Sequence, residues 1–332
     1  MSRVAVLGAG SWGTTLADLL ARKGLEVRLW AYEAEVVEAI NAHHENTVFL
    51  PGAPLAPTLR ACADRRGALA GADVVLSAAP SHAVRSVIAP VADAIPPGTL
   101  VVSATKGLET DSLKPMSTVL GELLPAARIA VLSGPSFAEE VYRGQPTAVV
   151  AASRDPGAAE EAQRIFATPR FRVYTNPDVI GVELAGALKN VIAIAAGILE
   201  GLGLGHNPRA ALITRGLAEM TRLGLALGAE PATFAGLAGM GDLILTTCGA
   251  LSRNRALGLA LARGESLAAY TATHRSVAEG VNTARAAVAL GERTGVELPV
   301  AAQVCAILFD GKSPERAVSD LMERALKPEQ WR

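Results

Sequence analysis

Cysteine is scarce: Cys62, Cys248 and Cys305 are odd in number, far apart, and form neither a CxxC pair nor a Cys/His zinc pattern. That excludes a disulfide framework and a cysteine-held metal, and it points to a reducing compartment, the cytoplasm. Charge of one sign is missing too. Formal charges nearly cancel at −1, so no non-specific binding to nucleic acid or to an anionic membrane is expected. Aromatic residues make up only 4% of the chain, while alanine is abundant, a texture suited to closely packed helices.

Long uncharged runs are also lacking. The apolar start Val4–Gly10 is short, broken by glycine and without a cleavage site, so no secretory leader is read there. The longest apolar stretch carries Lys189 and Glu200, with too few uncharged residues between them for a bilayer span. A soluble protein of 332 residues is expected, enough for one large domain or two ordinary ones. No internal repeat and no low-complexity linker divides it, so two domains would meet over a broad contact.

What is there begins at once. A β run over Arg3–Leu7 leads into Gly8-Ala-Gly10-Ser-Trp-Gly13, and a helical pattern follows through Leu16, Leu19 and Leu20. This is G-x-G-x-x-G between strand and helix, the dinucleotide fingerprint. Gly8 permits the tight turn, Gly10 lets backbone approach a pyrophosphate, and Gly13 lets helix pack on strand. A second β run, Glu26–Trp30, ends in Ala31-Tyr32-Glu33. No acid stands at its tip, Glu33 comes late, and no nearby base follows to hold a 2′-phosphate, which leans towards NAD over NADP.

Further β runs at 73–79, 99–104 and 128–132 are continuously apolar, as strands buried on both faces should be. Runs at 146–151 and 171–174 could extend the sheet. Together they predict a doubly wound α/β sheet, whose ligands bind beyond the strand tips. The tips read Pro80-Ser81-His82, Thr105-Lys106-Gly107 and Ser133-Gly134-Pro135-Ser136-Phe137. Lys106 could hold an anion or be an ordinary turn lysine; His82 suits a turn.

Beyond Asn176-Pro177 the texture becomes helical. The expected division is a dinucleotide-binding domain over 1–178 and an all-helical domain over 179–332. The stretch 179–197 is apolar around most of its circumference and so should be buried, with Asn176 as its cap, Pro177 at its first position and Asp178 on its positive end. Lys189 interrupts it. A buried ammonium is either satisfied by a carboxylate for structural reasons or used for proton transfer. Later, Gly236-Leu-Ala-Gly239-Met-Gly241-Asp242 follows no β run, so its glycines are expected to bring backbone near a ligand and to present Asp242 at a helix start. Ser252-Arg253-Asn254-Arg255 offers a guanidinium fork with neutral donors, suited to phosphate, or is a solvated polar loop.

These pieces resemble a known family. GAGSWGTTLA (8–17), ATKGLE (104–109), SGPSFAEEV (133–141), the helix 176–197, TRGLAEM (214–220), GMGDLILT (239–246), SRNR (252–255) and VAEG (277–280) are similar, in this order, to bacterial-type NAD(P)-dependent glycerol-3-phosphate dehydrogenases. The resemblance implies a Rossmann-like domain followed by an all-α domain like the C-terminal one of 6-phosphogluconate dehydrogenase. It implies a dissociable NAD or NADP, no metal, and a cytosolic homodimer supplying glycerol 3-phosphate for phospholipid synthesis.

By resemblance, Lys189 is the proton donor and acceptor, with Asp242 orienting it. Lys106, Gly134, Ser136, Lys189, Asp242, Ser252, Arg253 and Asn254 match substrate-holding positions. Ser11, Trp12, Tyr32, Lys106, Ala138, Arg253, Val277 and Glu279 match dinucleotide contacts beside Gly8, Gly10 and Gly13, and Asn190 and Thr246 match polar residues lining the site. Tyr32 stands where the family often has a basic residue or histidine. Two other readings fit a glycine loop: a β-hydroxyacid or ketopantoate-type reductase, and a non-enzymatic dinucleotide sensor. The first would want fewer phosphate-holding groups, and the second has no need of Lys189 opposite Asp242.

Overall fold

A computed structural model describes residues 2–274, 278–326 and 328–329. Among the described residues ten strands are formed: β1 (Arg3–Leu7), β2 (Glu26–Trp30), β3 (Glu45–Asn46), β4 (Leu50–Pro54), β5 (Arg60–Cys62), β6 (Val74–Ser77), β7 (Leu100–Ser103), β8 (Arg128–Ser133), β9 (Thr147–Ala152) and β10 (Phe171–Asn176). Eight of them build one sheet in the order β10-β9-β8-β7-β6-β1-β2-β5, while β3 and β4 form a separate hairpin. The fold class read from the sequence is the one observed. Strands β5 to β8 run parallel with β1 and β2, and register pairs Leu7 with both Trp30 and Ser77, and Ser77 with Ser103. Their carboxyl ends therefore lie level. Strand order reverses beside β1, which opens the crevice where ligands of such sheets sit.

Two features depart from expectation. The runs at 146–151 and 171–174 do extend the sheet, but β9 is antiparallel to β8 and β10 follows β9. Only the one-turn helix Ala138–Tyr142 separates β8 from β9, so the chain reverses instead of making a full crossover. Strands β3 to β5 were not expected. They are two to five residues long and interrupted by Pro51, Gly52 and Pro54, so no alternation develops.

The sheet's alternation feeds two cores. Val4, Val6, Leu29, Leu76 and Val102 pack with Leu16 and Leu20 of the first helix, Ser11–Arg22. Ala5, Leu7, Val75 and Val101 pack on the other face with Ile88, Met116, Val119 and Leu120. After Asn176 the described residues form helices and connections only. The central helix, Val179–Gly201, lies among helices His206–Ala226, Asp242–Cys248, Arg253–Ala262 and Gly280–Thr294. By length and composition it could cross a membrane, yet 89% of its most apolar window is buried inside the protein. Its cap is Asp178, whose carboxylate accepts from Gly181 N at 2.8 Å, and not Asn176, which instead accepts from Asp178 N at 2.8 Å.

Glycine lets the central helix and Arg253–Ala262 meet almost backbone to backbone. A Cβ on Gly197 would stand 2.0 Å from Arg255 O, and one on Gly258 would stand 2.0 Å from Ile194 O. The contact is reciprocal, and neither carbonyl can retreat without moving its helix. Gly258→Ala should therefore cost about 1–3 kcal/mol by overpacking. Urea unfolding measures it; an unchanged midpoint would mean that the crossing is looser than described.

Candidate active site

The glycine loop meets its steric demands. Gly8 has φ +121°, and a Cβ there would lie 2.7 Å from the backbone of Ala78 and Ala79. A Cβ on Gly13 would stand 2.0 Å from Gly8 O, so this glycine serves helix–strand packing. Around Gly10 a Cβ would meet nothing within 4 Å, because that side faces open cleft. The first helix starts there with no side-chain cap, its first N–H groups free for a ligand's oxygens. These observations fit a dinucleotide pyrophosphate.

The cleft holds about 900 Å³. Gly8, Gly10, Ser11, Trp12, Tyr32, Lys106, Ser136, Ala138, Lys189, Asn190, Asp242, Thr246, Ser252, Arg253, Asn254 and Glu279 all line it. Residues expected from distant parts of the chain are thus brought together. Gly13 and Gly134 stand behind the lining, and Val277 lies outside the described residues. Gly134 has φ +135°, and a Cβ there would meet Val149 Cα at 2.9 Å. Its carbonyl accepts from Lys106 Nζ at 2.7 Å, and Ser136 Oγ donates to the same carbonyl at 3.0 Å.

At the floor lies a buried carboxylate between two ammoniums. Asp242 Oδ1 accepts from Lys189 Nζ at 2.7 Å and Oδ2 from Lys106 Nζ at 2.7 Å. Thr246, one turn beyond Asp242, accepts from Lys189 Nζ at 2.6 Å and donates to Asp242 Oδ1 at 3.2 Å. Burial lowers the Lys189 pKa to about 8; Asp242 opposes that shift, and the charges of Lys106 and Arg253 add to it. Burial also pushes Asp242 up, but Lys106 and Lys189 outweigh it and keep the carboxyl below its ordinary value. Each ammonium has three N–H groups, of which two are committed, so Lys189 and Lys106 each keep one for a ligand in the cleft.

Asp242 opens the helix Asp242–Cys248, as expected, but the glycines before it do other work than expected. Leu237–Gly241 forms a π-helical turn, and a Cβ on Gly239 would stand 2.1 Å from Phe234 O. That glycine serves packing against its own neighbour, and neither it nor Gly236 nor Gly241 lines the cleft. The SRNR segment divides likewise. Ser252 caps the helix Arg253–Ala262, accepting from Arg255 N at 3.2 Å. Arg255 pairs with Glu200 at 2.6 Å, away from the site. Asn254 spans Asn190 Oδ1 at 3.0 Å and Gly280 N at 2.9 Å. Among the described residues Arg253 makes no side-chain hydrogen bond or ion pair; it is exposed to the cleft.

The sequence reading missed two things. Glu279 is committed to Ser81, accepting from its N at 2.9 Å and its Oγ at 2.5 Å, and so joins the helical part to the tip of β6. The tip had been noted, but for His82, which lines the cleft without a hydrogen bond or ion pair among the described residues. Near the tip of β2, Arg65 lines the cleft, as Glu33 does. Its Nη1 donates to Ser86 O at 3.0 Å and Val87 O at 3.2 Å, and its guanidinium lies 5.4 Å from the Trp30 ring centre. A base does therefore line the cleft together with Tyr32 and Glu33. It arrives through β5, which the sequence concealed. Among the described residues no group of three or more His, Cys, Asp and Glu is placed to hold a metal.

Comparison with known proteins agrees with this geometry. Residues 3–159 match the family model of the NAD-dependent glycerol-3-phosphate dehydrogenase N-terminus, and residues 178–319 match that of its C-terminus. A protein of Geobacter sulfurreducens named glycerol-3-phosphate dehydrogenase [NAD(P)+] is 57% identical over 99% of both chains. One of the same name from Geobacter metallireducens is 56% identical over 98% of both. The crystal structure of the glycerol-3-phosphate dehydrogenase of Coxiella burnetii superposes with a TM-score of 0.94 at 42% identity, covering 97% of this chain and 99% of that one.

Proposed function

The chain belongs to the NAD-dependent glycerol-3-phosphate dehydrogenase family, and we propose that it interconverts dihydroxyacetone phosphate and glycerol 3-phosphate with Lys189 as general acid and base. The observation that carries this reading is the Lys189 ammonium, fixed by Asp242 and Thr246 with one N–H left toward the cleft. Reduction needs a hydride at the carbonyl carbon and a proton at its oxygen. When bound, the nicotinamide supplies the hydride. Lys189 hydrogen-bonds the carbonyl oxygen and gives up its proton as alkoxide charge develops. With a pKa of about 8, it can lose or take that proton near neutrality. After transfer Asp242 is not stranded, because Lys106 still holds its other oxygen.

Arg253 is the phosphate anchor in this reading, a guanidinium at the cleft wall with no hydrogen-bond or ion-pair partner among the described residues, aided by the remaining N–H of Lys106. Ser252 and Asn254 contribute mainly by fixing the helix start that carries it, given their own partners. A non-reacting phosphate held there orients the carbonyl. The runner-up reductases would have little use for that anchor, and a sensor none for the buried lysine. We assign residues 1–178 to dinucleotide binding and 179–332 to substrate and catalysis. From the family resemblance we also take a cytoplasmic homodimer whose product feeds phospholipid synthesis.

Lys189→Ala should lower kcat by about 10²–10⁴-fold while NADH affinity, followed by fluorescence titration, stays near wild type. In the wild type, reduction requires charged Lys189, so its rate should fall as pH rises through about 8; oxidation requires the neutral amine and should rise through the same pH. Flat profiles in both directions would remove Lys189 from the role.

Arg253→Ala should raise KM for dihydroxyacetone phosphate about 10–100-fold, the worth of a charged hydrogen-bonded contact. Unphosphorylated dihydroxyacetone should be indifferent to the change. An unaltered KM for the phosphate ester would refute the anchor.

Dinucleotide choice rests on Glu33 and Arg65. Arg65→Ala should weaken NADPH relative to NADH about fivefold, and Glu33→Gln should shift the ratio the other way, each through about 1 kcal/mol of charge interaction with a 2′-phosphate. Equal effects on both cofactors would show that neither residue meets the 2′ position.

A further inference from the structure

The central helix carries a second buried ion that the chemistry above does not use. Glu183 is only 5% exposed. Its Oε1 accepts from Ser117 N at 2.8 Å and its Oε2 from Ser117 Oγ. Ser117 stands in the first turn of the helix Met116–Leu123, whose cap position, Pro115, supplies no side-chain acceptor. A carboxylate from the other half of the molecule thus satisfies donors that this helix leaves open.

What leads into that helix matters. The chain runs from the tip of β7 through Lys106 and Gly107 and turns back on itself, Glu109 N donating to Lys114 O at 2.9 Å, before reaching Pro115. Leu108, 1% exposed, is buried in the core of the helical half. The loop bearing Lys106 is therefore held at its middle by Leu108 and at its end by Glu183. On the central helix, Glu183, Gly186 and Lys189 follow at successive turns. Glu183 grips Ser117. A Cβ on Gly186 would lie 2.8 Å from Ser133 Oγ and 3.6 Å from Lys106 Cγ, and Lys189 meets Asp242.

We propose that Glu183 is a positioning residue for the reaction: it fastens the Lys106 loop to the helix that carries Lys189, so that the two ammoniums arrive in register on Asp242. The inference rests on the assignment of Lys189 as acid and base. Burial pushes the Glu183 carboxyl up to about 7; its bonds to Ser117 and the charge of Arg154 oppose that rise. The clasp therefore carries its full charge on the alkaline side, where Lys189 titrates.

The test compares Glu183→Ala, Glu183→Gln and Ser117→Ala in the full-length enzyme. Each is checked for cooperative thermal unfolding and then assayed for dihydroxyacetone phosphate reduction across the alkaline range. Groups acting on Lys189 are Asp242, Lys106, Arg253 and Thr246. If the Lys106 loop slips, its charge no longer depresses Lys189, and the alkaline limb moves upward. Glu183→Ala should lower kcat about 10- to 100-fold, as expected for ångström-scale misplacement, leave NADH affinity near wild type, and raise the limb. Glu183→Gln, which can still accept from Ser117 N and donate to its Oγ, should recover most of both. Should the alanine variant not fold, Ser117→Ala keeps the backbone bond and should show a smaller shift of the same sign. Reduced stability with kcat and limb unchanged would overturn the proposal. A wild-type enzyme with no alkaline limb would instead overturn the assignment of Lys189.

Discussion

Everything in the cleft depends on one carboxylate being buried between two ammoniums. Asp242 is 1% exposed, and an unpaired charge at such depth would cost several kcal/mol, roughly, in lost hydration. Its two oxygens are satisfied by groups from opposite halves of the chain: Lys106 from the tip of β7 and Lys189 from the middle of the central helix. The bridge therefore forms only when the halves are docked and in register. That demand accounts for the closeness of the packing around it. Gly197 and Gly258 let the helix bearing Arg253 press on the helix bearing Lys189, and Gly239 lets the π turn fold tightly enough to offer Asp242.

A second line of contacts crosses the same boundary at the cleft's rim. Glu279 holds Ser81 at the tip of β6, and Asn254 ties Asn190 to Gly280, the residue after Glu279. The segment that would anchor phosphate and the segment that grips the sheet tip are thereby one hydrogen-bonded unit. Displacing either oxygen of Asn254 or Glu279 would unpair a buried donor elsewhere, so the rim moves as a unit or not at all.

How much of this could be read beforehand follows from the range of each constraint. The glycine loop was legible because its demands are local: a turn, an open approach and a helix start within six residues. The buried lysine was legible because an apolar helix leaves a charge nowhere to go. The 236–242 segment misled because glycines that admit a ligand and glycines that admit a neighbouring carbonyl look alike in sequence. Strands β3 to β5 are too short and too broken by proline and glycine to show a period, and with them went Arg65. Glu183 was in plain view within the same apolar helix as Lys189, yet its partner lies 66 residues away, and nothing local announces Ser117. The capping of Asp178 in place of Asn176 was a choice between neighbours two residues apart, which side-chain geometry alone decides.

If Lys189 exchanges a proton as proposed, the proton balance explains why two lysines should converge on one aspartate. A lone Lys–Asp pair would resist losing its proton, since the buried carboxylate would then stand uncompensated. It would also hold the lysine's pKa up, far from the pH range of the proposed exchange. The second ammonium does two things at once. It keeps Asp242 paired in both protonation states of Lys189, and its charge opposes that of Asp242 on Lys189, helping burial to hold the pKa near 8. Hydrogen-bond counting points the same way. With two of three N–H groups taken on each ammonium, rotation is stopped and the last donor of each has one direction left. An ammonium on a free four-carbon stem would have to be ordered during the reaction. Here that entropy is lost on folding, in a buried floor where an oriented charge would act most strongly on the alkoxide of the proposed reaction.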